Sequence, residues 1–310
     1  MMRHLLRDDD LTPAEQAEVL DLAIALKASP YAERPLEGPR SVAVMFDKPS
    51  TRTRVSFAVG IADLGGQAVI LDAAGTQRGR GEPVYDTTRV LERQVAAIVW
   101  RTFAQSDLAE MASESRVPVV NALTDDFHPC QLLADLQALR EHLGDLSGVT
   151  VAYVGDGGNN MAHSWLLAGA TAGMHVRIGC PAAYAPRADV VADAERVAAT
   201  TGGSVMVVHD AVEAVTGAAA VATDTWISMG QESEREARVA TFGPFAVTAE
   251  LMAHAAPEAA VMHDLPAYRG YEIEAELLDG PRSLAWDEAE NRLHAQKALL
   301  VWLLRQGGAR

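Results

Sequence analysis

The sequence predicts an α/β protein of two parallel-sheet domains, bridged by helices. Three observations predict it. Strand-like apolar runs alternate with helical patterns throughout the chain. The length of 310 residues suits roughly two domains. A break at Leu143-Gly144-Asp145-Leu146-Ser147-Gly148 separates two such series of similar size.

Leu11-Thr12-Pro13-Ala14-Glu15 opens the first helix, with Thr12 as N-cap and Pro13 in the first turn, and the pattern runs to about Lys27. Strands are expected at Ser41–Phe46, Gln67–Leu71, Ala96–Trp100 and Val117–Asn121, with helices at about Thr53–Leu64 and Val84–Gln94. His128–Leu143 reads as a long helix carrying Leu132, Leu133, Leu136 and Leu139. After the break, strands are expected at Thr150–Val154, His175–Gly179, Ser204–Val208, Ala220–Thr223 and Ala260–Met262, with helices between them. Asn291–Arg305 is an apolar closing helix. The result is two Rossmann-like units joined by the 130–143 helix.

Apolar content of 49% is ample for two cores, while a formal charge of −16 argues against a general nucleic-acid or anionic-membrane surface. Any anion site must then be local. Cys130 and Cys180 make no disulfide framework, which fits a reducing cytoplasm, and no histidine pair has metal-ligand spacing. Met1–Arg7 lacks the apolar core of a signal peptide, and runs such as Ala298–Leu304 are too short to span a bilayer.

Local positive charge is found at Phe46-Asp47-Lys48-Pro49-Ser50-Thr51-Arg52-Thr53-Arg54, between a predicted strand and a predicted helix. Hydroxyls and cations there meet the free backbone N–H groups and positive dipole end of a helix, a setting suited to a phosphate dianion. The plainer alternative is an N-cap with solvated arginines. A P-loop is ruled out, because no Gly-x-x-x-x-Gly-Lys occurs here. Arg101 follows the third strand, where ligands of α/β sheets gather, although a surface arginine would read the same way. His128 and Gln131, at i and i+3, share one face of a helical turn.

Gly155-Asp156-Gly157-Gly158-Asn159-Asn160 lies between strand and helix, as a dinucleotide-binding turn would. The third glycine of Gly-x-Gly-x-x-Gly is replaced by Asn160, and no acid ends the next strand at Gly179-Cys180-Pro181. The dinucleotide reading therefore fails. Asp224-Thr225-Trp226-Ile227-Ser228-Met229-Gly230 follows another strand and offers a carboxylate and hydroxyls for a zwitterion, or else an Asp cap before a loop.

Together these strings resemble the aspartate and ornithine carbamoyltransferases, and the resemblance covers nearly the whole chain. Ser50–Arg54 matches the carbamoyl-phosphate signature, His128-Pro129-Cys130-Gln131 the His-Pro-x-Gln motif, and Asp224–Gly230 the Asp-x-Trp-x-Ser-Met-Gly motif of the ornithine branch. The resemblance implies that Ser50, Thr51, Arg52 and Thr53 hold the phosphate, that Arg101 and His128 bind the carbonyl oxygen, and that Gln131 binds the amide. Arg292 and Leu265 would add carbamoyl-phosphate contacts, and Gln77 would reach a neighbouring subunit's site; a solvated loop is the alternative for Gln77. Asn160, Asp224, Ser228, Met229 and position 264 would hold ornithine, with Met229–Arg238 closing over it. The implied domains are 1–143, with 291–305 packing back on it, for carbamoyl phosphate, and 148–285 for the amino acid. The implied activity is transfer of the carbamoyl group to the side-chain amine of L-ornithine in a cytoplasmic homotrimer, with no metal or organic cofactor.

One position departs from the family. The usual His-Cys-Leu-Pro reads His263-Asp264-Leu265-Pro266, and Tyr268 stands where a second histidine is usual. An alkylammonium with a pKa of about 10.4 must lose a proton before it attacks. A neighbouring carboxylate favours the charged amine, yet it also aids binding and could take the proton. Three outcomes stay open: ornithine chemistry with altered pH dependence, another amino acid or diamine as acceptor, or an impaired homologue acting as a binding partner.

Overall fold

The computed structural model describes residues 2–227 and 232–307. The chain divides into two compact units, Met1–Gln137 with Glu290–Arg310, and Ala138–Ala289.

The first unit begins with α1 (Pro13–Ala28), which opens on the predicted capping box: Thr12 Oγ1 accepts from Glu15 N, and Glu15 Oε2 accepts from Thr12 N. There follow β1 (Ser41–Phe46), α2 (Thr51–Asp63), β2 (Gln67–Asp72), α3 (Val84–Leu91), β3 (Ala97–Arg101), α4 (Gln105–Glu114), β4 (Val119–Leu123) and α5 (Pro129–Leu143). The strands are all parallel, in the order β2-β1-β3-β4. Central β1 and β3 are apolar and buried on both faces, whereas edge strand β2 alternates. The outer edge of β4 is covered: Leu5 N donates to Val119 O at 3.0 Å, and Asn121 N donates to Leu5 O at 2.7 Å. Met45, Ile98, Trp100, Leu108, Met111 and Val119 pack one core.

The second unit contains β5 (Thr150–Val154), α6 (Asn160–Thr171), β6 (His175–Gly179), α7 (Ala188–Thr201), β7 (Ser204–Val208), α8 (Ala211–Val215), β8 (Ala220–Thr223), α9 (Arg235–Phe242), α10 (Ala249–Met252), β9 (Ala260–His263) and α11 (Ala275–Leu278). Its sheet is also wholly parallel, ordered β7-β6-β5-β8-β9. From Met161 to Thr171, α6 is buried on every face. It lies so close to β6 that a Cβ on Gly169 would fall 2.4 Å from Val176 Cγ2. The last helix, α12 (Ala285–Gln306), belongs to the first unit from Glu290 onward.

The expected α/β class with two parallel sheets is observed. The differences are local. α2 begins at Thr51 rather than Thr53, because Ser50 is its N-cap and Ser50 Oγ accepts from Thr53 N at 3.2 Å. β4 begins two residues late because Pro118 has no N–H to give the ladder. α12 starts at Ala285, where Asp287 and Glu288 complement the helix dipole. α4, with Leu108, Met111 and Ala112 buried, went unread.

Candidate active site

Both sheets reverse strand order at their first strand, and the chemistry-bearing residues collect there. In the first unit β2 lies to one side of β1 and β3 to the other, which makes β1/β3 a switch point. The chain leaves β1 into Lys48–Ser50 and the start of α2, leaves β3 at Arg101, and leaves β4 toward His128.

Thr51, Arg52 and Thr53 form the first turn of α2, so the positive end of the helix dipole lies beside their side chains. Thr51 and Arg52 are exposed and Thr53 is fully buried. Two guanidinium groups converge on Thr53 Oγ1: Arg101 Nη1 at 3.4 Å and Arg292 Nη2 at 3.2 Å. Arg292 also donates from Nη1 to Gln131 Oε1 at 2.6 Å and from Nε to Gln296 Oε1 at 3.1 Å. Gln131 Nε2 donates to Asp135 Oδ1 at 2.8 Å, which fixes the amide's orientation.

His128 is buried. Burial holds its imidazole well below the usual histidine range, and the charges of Arg292, Arg101, Arg52 and Lys48 act in the same direction. A neutral ring among cations can donate one hydrogen bond to a carbonyl oxygen without titrating near neutrality. Two cations of the motif are engaged elsewhere: Lys48 pairs with Asp125 over the Phe103 ring, and Arg54 pairs with Asp72 over Phe46. Gln77 lies exposed and has no side-chain partner among the described residues. Cys130 is buried, and burial pushes its thiol up to about 12, so it is no nucleophile.

In the second unit the switch point is β5/β8. Asn159, rather than Asn160, caps α6 and turns toward Tyr153 and Asp224. Its Oδ1 accepts from Ala162 N at 2.8 Å, while Nδ2 donates to Tyr153 Oη at 2.8 Å and to Asp224 Oδ2 at 3.4 Å. Asn160 is the first helical residue and is half-buried. A Cβ at Gly157 would lie 2.6 Å from Cys180 Sγ and 2.7 Å from Tyr184 O, so this glycine serves close packing. Asp156 forms a buried ion pair with Arg238.

The register of β8 and β9 sets Thr223 opposite His263. Asp224 and Asp264, the next residue of each strand, therefore leave the sheet side by side. Asp224 is buried, and the Asp264 side chain is only 12% exposed. Burial, then the charge and hydrogen bond of Asp264, push Asp224 well above the usual carboxylate range. One donor atom each from Asp224, His263 and Asp264 lies within 4.8 Å of the others. His263 is nonetheless committed as a structural group. Its Nδ1 accepts from Leu265 N at 2.9 Å, which leaves the proton on Nε2, 3.3 Å from Glu272 Oε1. Both ring nitrogens are thus engaged, and neither offers a free lone pair to a metal ion. Leu265 has a left-handed backbone (φ 58°) held by that N–H bond, and it belongs to the second unit. Ser228 and Met229 lie outside the described residues.

The sequence reading missed Asp135, Gln296, Asn159 and Tyr153. Gln131/Asp135 and Arg292/Gln296 sit at i, i+4 on their helices, a spacing that could have revealed both pairs.

Comparison with known proteins adds to this geometry. Residues 3–141 match the aspartate/ornithine carbamoyltransferase carbamoyl-P binding domain, and residues 147–303 match the Asp/Orn binding domain of the same family. An ornithine carbamoyltransferase of Clavibacter sepedonicus is 68% identical over 306 residues, spanning 99% of this chain and 100% of that one. One of Leifsonia xyli is 60% identical over 98% of this chain and 97% of its own. The solved ornithine carbamoyltransferase of Pyrococcus furiosus superposes with a TM-score of 0.94 at 45% identity, covering 99% of this chain and 98% of that chain.

Proposed function

This chain belongs to the aspartate/ornithine carbamoyltransferase family, and we propose that it transfers the carbamoyl group of carbamoyl phosphate to the side-chain amine of L-ornithine, yielding L-citrulline and phosphate for arginine biosynthesis. The observation that carries this reading is the set of donors around Thr53 and His128, together with relatives of that name along the full chain.

In this reading residues 1–143 with 291–305 bind carbamoyl phosphate, and residues 148–285 bind the amino acid. Ser50, Thr51, Arg52 and Thr53 hold the phosphate at the N-terminus of α2. Arg101 and the neutral His128 receive the carbonyl oxygen, Gln131 and Arg292 fix the amide side, and Leu265 and Gln77 complete the contacts. Asn160, Asp224, Ser228, Met229 and Asp264 take the amino acid. The amine attacks the carbonyl carbon, and the oxygen gains negative charge that Arg101 and His128 stabilise. The bond to the phosphate oxygen then breaks, phosphate leaves with the electron pair, and the nitrogen gives up a proton.

We further assign the protein to the cytoplasm as a homotrimer; no helix among the described residues is long and apolar enough to cross a membrane. Exposed Val55 and Val59 on α2 and Val69 on edge strand β2 support a subunit contact there. Light scattering on Val59→Glu, expected to shift the mass toward the monomer, tests it.

The function is tested with radiolabelled carbamoyl phosphate and a panel of amines. Citrulline from ornithine is the expected product. Label only in another amine would reassign the acceptor, and no transfer at all would refute the reading.

A further inference from the structure

We propose that the adjacent carboxyl groups of Asp224 and Asp264 hold one shared proton in the empty protein and give it up to solvent when a diamino acid brings its second ammonium group into the pocket. The proposal rests on the reading of this pocket as the ornithine half-site.

The register of β8 and β9 pairs Thr223 with His263, so the two aspartates leave the sheet from paired neighbours. Both side chains are largely buried. Asp224 Oδ1 accepts from Thr225 N and its Oδ2 from Asn159 Nδ2, and one carboxylate oxygen of Asp264 lies within 4.8 Å of one of Asp224. Two ionised carboxylates cannot coexist there without a cation between them.

Among the described residues of the second unit no such cation stands beside them. No Lys or Arg pairs with either aspartate among the described residues. Tyr153 on β5 faces the pair as a neutral phenol, kept well above its usual range by burial and by these acids. His263 is bound on both nitrogens, and Glu272, on its far side, adds negative charge. Asp156 is neutralised by Arg238. Burial and the partner's charge both favour the protonated form of Asp224. The missing counter-charge must come from the ligand.

The proton balance follows from counting charges. With one proton the pair carries a single negative charge. In the proposed reading the α-carboxylate is held apart by Asn160, so an amino acid with only an α-ammonium sets one positive charge against the pair, and the proton stays. A second ammonium allows both carboxyls to ionise, and one proton departs to water. The pair thereby favours diamino acids over neutral isosteres, and their affinity increases with pH until the shared proton is lost in the empty protein.

The experiment uses the full-length protein with a phosphonate mimic of carbamoyl phosphate. Infrared difference spectra are recorded on adding L-ornithine or L-norvaline, with calorimetry in buffers of different ionisation enthalpy. Ornithine is expected to abolish a protonated-carboxyl stretch and release one proton; norvaline is expected to do neither. Asp264→Asn and Asp264→Cys are each expected to lack both signals, and either one that folds suffices. The proposal is overturned if the free protein shows no protonated-carboxyl band, or if the variants release as many protons as the parent, since those would come from the substrate amine. If ornithine gives no heat and no citrulline forms, the site assignment falls and takes the proposal with it.

Discussion

Arg292 Nη1 donates to Gln131 Oε1 at 2.6 Å, tying α12 to the start of α5. The same guanidinium reaches Thr53 and Gln296, so one planar fork aligns three elements around the first turn of α2. A lysine would keep the charge and lose the fork. Arg292→Lys is expected to lower kcat/KM for carbamoyl phosphate roughly 10²-fold, the loss of one or two charge-assisted hydrogen bonds. Steady-state kinetics with varied carbamoyl phosphate check this, and an unchanged KM and kcat would contradict it.

His128 sits below its ordinary pKa in the folded protein. As pH falls beneath the unfolded value of about 6.5, the unfolded chain takes up a proton that the folded chain refuses, so stability falls. Urea midpoints at pH 7 and pH 5 should therefore differ, and His128→Gln should narrow the gap. Activity should show no ionisation of His128 between those pH values.

Asp264 stands beside the amine in the proposed reading and favours its charged form. In Asp264→Cys the ascending limb of the pH–rate profile should move toward acid by about one unit, raising ornithine turnover near neutral pH by up to about tenfold. A superimposable profile would remove Asp264 from amine deprotonation.

Gly157→Ala places a methyl against Cys180 Sγ and the Tyr184 carbonyl. Overpacking of this kind costs about 1–3 kcal/mol. Thermal unfolding should register the loss, and adding Cys180→Ala should recover part of it, because the contact with backbone remains.

The α/β alternation was legible because each strand and helix carries its own pattern: an apolar run, a cap, a helical stripe. Thr12 was readable as a cap, and the failed third glycine at Asn160 excluded a dinucleotide turn. Asn159 was harder. Which of two adjacent asparagines caps the helix and which begins it depends on where the strand releases the chain, and it is Asn159 that donates to Tyr153 and Asp224. The start of α12 escaped notice because six residues of mixed polarity precede its apolar stripe.

Local elements and the donor-rich turn after β1 are readable from the linear chain, as is the family it belongs to. Backbone propensity and short motifs act within a few residues, so a linear reading captures them. Only the folded chain decided that Arg292 meets Thr53, 239 positions away, and that Asp224 and Asp264 stand side by side. Sheet register and helix docking set those distances, and both depend on how every buried side chain packs rather than on any one stretch of residues.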